Sequence, residues 1–289
     1  LEWLDQRNLF VVPLDDQRRW YRYHHLFADL LQARLRQLEP ERAAELQRRA
    51  AAWCEREGQP VEAIGYALAA KNFEHAGNLI AACWGPFSNA GQIETVWGWL
   101  AALPVDVVRA SAALSVACCW MLWLRGQPDL MEPHLLDAEA ALNGQGGSAT
   151  SAQEGAVAAE LRVQVATLHS FVARYHADFA AAIAQAEHAR RLAAENWPPG
   201  DNAQLRAQLH ALIALALATA YDGAGDLERS ADAYTEAIRW SRQGKNAAGL
   251  GVAYRLAALL RLLGRLQEAE TVCREALRFL GAEGMAHLP

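Results

Sequence analysis

Leu263-Gly264-Arg265-Leu266-Gln267-Glu268-Ala269 decides how the chain is read. Apolar residues at helical spacing flank it on both sides, so it reads as a tight turn between two antiparallel helices. Gly264 stands where the first helix would end, and glycine alone enters the left-handed region without a Cβ penalty. Ala269, Cys273 and Ala276 follow the turn at helical spacing, and Ala253, Ala257 and Leu260 mirror them before it. Side chains this small let two helices pack closely.

The pattern recurs upstream. Gly225-Asp226-Leu227 is followed by Tyr234 and Ala237 and preceded by Ala218 and Tyr221. Ala177-Asp178-Phe179, Gly126-Gln127-Pro128 and Gly58-Gln59-Pro60 each precede a helical run: Ala182, Ala186 and Ala189, then Met131, Leu135 and Ala138, then Ala63 and Ala67. Gly225 and Gly264 are 39 residues apart, and Gly58 and Gly126 are 68 apart, room for two units of about 34. Self-similarity at this period predicts stacked helical hairpins, none of which buries its apolar face alone.

With 289 residues, of which 53% are hydrophobic, the chain has ample material for a core. A net charge of −6 argues against general attraction to nucleic acid. The five cysteines show no C-x-x-C spacing, which predicts reduced, packed thiols and a cytoplasmic protein. There is no signal peptide and no apolar run of transmembrane length, so no membrane contact is expected. Both ends read as cut, because the first residue is not Met and Leu1 to Asp5 begin inside an apparent helix.

The fold expected is all-α: a tetratricopeptide-like right-handed superhelix of helical hairpins, preceded by a short β-hairpin. Leu9 to Pro13 and Arg19 to Tyr23 read as its strands, with a turn at Leu14 to Gln17 and a helix from His24 to Leu38. Leu26, Phe27, Leu30, Leu31 and Leu35 form the apolar side of that helix. Residues 1–38 read as the C-terminal part of a winged-helix domain, 39–110 as a helical arm and 111–289 as the superhelix. Breaks are expected at Gly85-Pro86 and Leu103-Pro104, a continuous helix over 106–125, and a mobile loop from Asn143 to Gly155.

Two segments resemble a known family. Asn8-Leu9-Phe10-Val11-Val12-Pro13-Leu14-Asp15-Asp16 with Arg19-Trp20-Tyr21-Arg22-Tyr23-His24-His25-Leu26-Phe27-Ala28-Asp29-Leu30-Leu31 resembles the end of the winged-helix domain in MalT-like regulators, the ATP-dependent LuxR-class members of the signal-transduction ATPases. Glu94-Thr95-Val96-Trp97-Gly98-Trp99-Leu100-Ala101-Ala102-Leu103-Pro104 is similar to the junction of helical arm and superhelix in that family. The resemblance implies a sensor region in which inducer binding, together with ATP binding elsewhere, promotes self-association and transcription activation. It also implies that the winged helix packs against the ATPase module rather than reading DNA. The chain has no G-x-x-x-x-G-K-[ST] loop and no recognisable C-terminal DNA-reading helix pair. No cofactor is therefore expected here, ATP belonging to a separate module, and no direct nucleic-acid contact.

In tetratricopeptide-like stacks the first helix of each hairpin lines the concave surface. Positions six, three and two before each turn residue share one helical face. They are Trp120, Trp123 and Leu124 before Gly126; Phe171, Arg174 and Tyr175 before Ala177; Thr219, Asp222 and Gly223 before Gly225; and Ala258, Arg261 and Leu262 before Gly264. Ten before the turn stand Val116, Thr167, Leu215 and Tyr254. Trp120, Trp123, Phe171, Arg174, Tyr175, Asp222, Tyr254 and Arg261 are the expected ligand contacts. Aromatic faces would stack on a sugar or another flat molecule, and the charges would orient it. The competing reading is that the aromatics pack between hairpins and the arginines lie on a solvated face. The occupant would be a small inducer or a regulatory protein; a plain protein-interaction scaffold is the alternative.

No catalytic or metal constellation emerges. His24 and His25 are adjacent and so point about 100° apart on a helix, a poor chelate, and they read instead as capping the junction of hairpin and helix. Cys118-Cys119 cannot bridge without distorting a helix and reads as core. No G-x-S-x-G and no nucleophile, base and orienter set occur, so an enzyme is not expected.

Overall fold

The computed structural model describes residues 10–13, 21–144, 152–196, 203–244 and 249–282. The expected turn at 14–17, the N-terminal helical start and most of the loop at 143–155 lie outside the described residues. The chain divides into two compact units, Leu1–Cys83 and Trp84–Pro289. The described residues are all-α apart from one two-stranded sheet.

In the first unit β1 (Val11–Pro13) pairs antiparallel with β2 (Tyr21–Tyr23), Val11 opposite Tyr23. The His24 N–H donates to the Phe10 carbonyl at 2.6 Å, which turns the chain into α1 (His25–Leu38). Phe27 of α1 stacks on Phe10, centroids 4.8 Å apart, and meets Tyr23 edge-on at 5.6 Å. His24 occupies the N-cap position of α1, but its side chain makes no cap hydrogen bond, so the expected capping role is carried by its backbone alone. The expected apolar side of α1 stands largely in the open, with Leu26 67% and Leu30 61% exposed. Pro40 opens α2 (Pro40–Arg56) at the first turn, where its missing N–H costs nothing. α2 pairs with α3 (Pro60–Ala69) through Ala51, Ala63 and Ala67, all fully buried.

The expected break at Gly85-Pro86 does not end α4, which runs Phe73–Asn89 with Pro86 inside it. Proline removes one backbone hydrogen bond, but the left-handed residue that stops a helix comes five positions later, at Gly91 (φ 77°). The final turn of α4 is held where Phe87 meets Trp99 edge-on at 5.0 Å. Trp99 lies on α5 (Ile93–Ala101), which stops before Leu103-Pro104 as expected. The continuous helix expected over 106–125 is in fact two, α6 (Val105–Arg109) and α7 (Ala112–Leu124). Ser111 separates them: its hydroxyl accepts from the Leu114 N–H at 3.4 Å and so caps α7. The Ser115 hydroxyl donates to the Val108 carbonyl at 3.0 Å, clamping the joint.

A short 3-10 turn, Pro128–Leu130, leads into α8 (Glu132–Gly144). α9 (Ala152–Tyr175) and α10 (Phe179–Asn196), α11 (Ala203–Ala224) and α12 (Leu227–Gln243), and α13 (Gly249–Leu262) and α14 (Leu266–Ala282) complete the series of antiparallel hairpins. The first helices α7 and α9, and then α9 and α11, lie side by side.

One device closes these corners. Gly264 (φ 74°) donates its N–H to the Arg261 carbonyl, and Arg265 donates to Leu260, the paired bonds of a Schellman cap. The same two bonds recur at Gly58, Lys71, Gly91, Gly126, Ala177 and Gly225, each with positive φ. Lys71 and Gly91 escape a search for the turn pattern, Lys71 because lysine is not a usual left-handed residue. Buried alanines fill the hairpin interiors, among them Ala182, Ala186 and Ala189 in α10 and Ala216, Ala218 and Ala220 in α11, each 0% exposed. Cys273 departs from the expected packed set: it is exposed, and Ala276 is only partly covered.

Candidate functional site

Trp120, Trp123, Phe171 and Arg174 come together near the C-terminal ends of α7 and α9. Phe171 is 1% exposed. Trp123 stacks on it with centroids 4.5 Å apart and planes 15° apart, and Trp120 meets it edge-on at 6.2 Å. Trp120 is buried too, and its indole N–H donates to Gln164 Oε1 at 2.8 Å. The Gln164 amide in turn donates to Glu160 Oε1 at 2.9 Å. Burial raises the Glu160 pKa, and that hydrogen bond works against the rise. Trp120 and Phe171 therefore join two hairpins, and Trp123 and Arg174, half-buried, form the surface above them.

The Arg174 guanidinium lies 5.6 Å from the centre of the Trp123 ring, a cation–π arrangement. Its Nε is buried and has no hydrogen-bond partner among the described residues. On the next hairpin Asp222, also half-buried, accepts from Arg255 at 2.7 Å. Beneath them Tyr234 is 1% exposed, and its hydroxyl lies beside the Arg255 guanidinium without a hydrogen bond of regular geometry. Burial pushes the Tyr234 hydroxyl pKa up, while Arg255 and then Arg174 pull it down.

The other expected contacts stand apart. Tyr175 is exposed and, among the described residues, its one ring contact is with His176, edge-on at 5.3 Å. Tyr254 is 75% exposed, and Arg261 is exposed without an ion pair among the described residues. The positions three before each turn are half-buried at Trp123, Arg174 and Asp222 because the following hairpin leans on them. At Arg261 no further described hairpin does so.

Arg255 and Tyr234 are the residues that counting back from the turns misses. Arg255 falls nine positions before Gly264, one beyond the Tyr254 that the count selects. The available signal was charge: Asp222 is the one acid among the selected positions, and an acid half-covered by the next hairpin calls for a cation there.

The clefts lie elsewhere. One of about 930 Å³ opens between α12 and α14 over Ala253, Leu256 and Leu260, and none of the expected contacts lines it. A smaller one of about 340 Å³ is lined by Glu139, Arg162, His169 and His188. His169 contacts Glu139 at 2.9 Å there. Among the described residues no three His, Cys, Asp or Glu side chains are placed to hold a metal ion, and no helix is long and apolar enough to cross a membrane. Cys118 and Cys119 are buried in α7; burial pushes the Cys118 thiol up to about 12 and Cys119 higher still, so both stay protonated.

Residues 1–43 match the MalT winged helix domain family. Over 128 residues, 44% of the chain, the sequence is 34% identical to the serine/threonine-protein kinase PknK of Mycobacterium tuberculosis. It is 32% identical over 123 residues, 42% of the chain, to the HTH-type transcriptional regulator MalT of Klebsiella pneumoniae. Over 97 residues, 33% of the chain, it is 32% identical to MalT of Vibrio cholerae. These alignments span 12%, 14% and 11% of the respective relatives' own lengths. In its winged-helix residues and over these partial alignments the chain is similar to MalT.

Proposed function

We propose that this MalT-like chain is the sensor and coupling region of a transcriptional regulator. A small inducer or a regulatory protein binds the face formed by the C-terminal turns of α7, α9 and α11 and the middle of α13. Binding shifts the parent protein between a resting and a self-associating state. The observation that carries this reading is the run of half-buried Trp123, Arg174 and Asp222 with exposed Arg255 beside them, over a buried aromatic and tyrosine floor. Flat aromatic surface beside charged groups that fix orientation is the make-up of a ligand site. A ligand that touches adjacent hairpins favours one arrangement of them, and a difference in affinity between arrangements is what shifts a population.

The similarity to both a kinase and transcriptional regulators supports an input role. A stretch related to proteins with such different names is read most simply as the part that receives a signal. ATP hydrolysis, DNA reading and phosphoryl transfer are then tasks for other modules, and the parent works in the cytoplasm. The test is a thermal-shift screen of metabolites against the 289-residue chain, repeated on Trp123→Ala and Arg174→Ala. A metabolite that raises the melting temperature of the parent chain alone supports sensing. If both variants, still folded, respond as the parent does, the site is wrong. If only protein partners are recovered, the chain is a scaffold.

A further inference from the structure

Arg174 and Arg255 are more cationic than their surroundings require. Arg174 makes no hydrogen bond or ion pair among the described residues; its guanidinium lies over the Trp123 ring. A half-buried guanidinium is normally matched by a carboxylate, because desolvating a charge without a partner is costly. Arg255 is paired to Asp222 through one oxygen at 2.7 Å, and among the described residues Asp222 is the one acid that meets either arginine in an ion pair. Two guanidiniums against one carboxylate leave a local excess of one positive charge, in a chain whose net charge is −6. Arg174 and Asp222 each stand three residues before a Schellman corner on the neighbouring helices α9 and α11, and Arg255 is ion-paired to Asp222, so the two guanidiniums belong to one face.

We propose that Arg174 and Arg255 hold the anionic group, a carboxylate or phosphate, of a ligand whose flat or apolar body lies against Trp123. This rests on the sensor reading above and narrows it to a class of ligand. Planar guanidiniums offer paired N–H donors matched to carboxylate and phosphate oxygens. Asp222 then competes with the ligand for Arg255: in the empty site it holds the guanidinium, and an arriving anion takes it over. Arg174, stacked on Trp123, is set to meet charge and ring of the same molecule.

Titration calorimetry on the full 289-residue chain tests this with phenyl phosphate and benzoate, against neutral benzyl alcohol and against inorganic phosphate alone. One of the two aromatic anions binds at least tenfold more tightly than benzyl alcohol, and which of them does so identifies the oxyanion preferred. Arg174→Gln and Arg255→Gln each weaken that binding about tenfold or more, Arg174→Lys weakens it less, and Asp222→Asn binds at least as tightly as the parent. Helical circular dichroism and melting temperature show that each variant folds. Equal binding of benzyl alcohol and the anions, no binding of either anion, or parent-like affinity in both Arg→Gln variants overturns the proposal. A neutral metabolite whose binding is lost in Trp123→Ala but kept in both Arg→Gln variants overturns it while leaving the sensor reading intact. Loss of all small-molecule binding, with protein partners retained, removes both.

Discussion

Trp123 on α7 and Phe171 on α9 stack almost parallel, 4.5 Å between centroids, and so tie two hairpins together while Trp123 stays half-buried. The two partners differ in burial, and that separates structural from functional loss. Phe171→Ala removes a ring that is 1% exposed and costs about 3–5 kcal/mol in urea denaturation. Trp123→Ala, half-exposed, costs at least 1 kcal/mol less, about the difference that the remaining burial makes. Equal losses would mean that Trp123 belongs to the core.

The corner residues predict opposite signs. Ala177 holds φ 58° with a Cβ, and Gly264 holds φ 74° without one. The left-handed region costs a residue with a Cβ about 1–2 kcal/mol. Ala177→Gly raises stability by about 0.5–1 kcal/mol, after the added freedom of glycine in the unfolded chain is subtracted. Gly264→Ala lowers it by about 1 kcal/mol. Denaturant midpoints that move in the same direction for both would contradict the shared corner geometry.

Gly223 is set by contact rather than by its backbone angle. A Cβ there would lie 2.2 Å from Cε1 of Phe179 at the start of α10. Gly223→Ala therefore forces the ring to move and lowers the melting temperature, at a cost of about 1–3 kcal/mol. Phe179→Ala in the same chain recovers part of that loss, so the double variant is less destabilised than the sum of the two.

Two histidines give the fold a pH dependence. Burial lowers the pKa of His210, which stacks on Trp240 at 4.6 Å; Glu236 opposes the shift and Arg206 adds to it. Burial also lowers that of His134, against Asp137 and with Arg109. Each folded-state pKa lies below the ordinary histidine value of 6.5, so on acidification the unfolded chain takes up protons first. Their contribution is complete above that value and declines as pH falls below it towards the folded-state pKa. His210→Phe keeps the ring stack and removes one titrating group. Its denaturant midpoint falls less than the parent's between pH 7.5 and pH 5. An identical fall would clear His210 of any part in acid sensitivity.

Helix positions were legible because small residues recur at helical spacing and glycines end the runs. The boundaries that escaped did so for local reasons. Pro86 reads as a stop, yet loses only one bond, and the left-handed residue waits at Gly91. Ser111 hides inside an apolar run, where only its hydroxyl on the Leu114 N–H reveals a new helix start. Within the site, turn counting finds Trp123, Arg174 and Asp222, since a shared corner geometry puts them at one height. It passes over Arg255 and Tyr234, whose places depend on how one hairpin leans on the next. That rotation is not written in the spacing of either.

Each Schellman corner draws its bonds from residues no more than five apart, such as Arg265 to Leu260. Such a corner needs no help from distant sequence, so a chain leaving the ribosome can bend there as soon as the segment is free. Assembly can then proceed rung by rung, and a defect in one rung leaves its predecessors able to form.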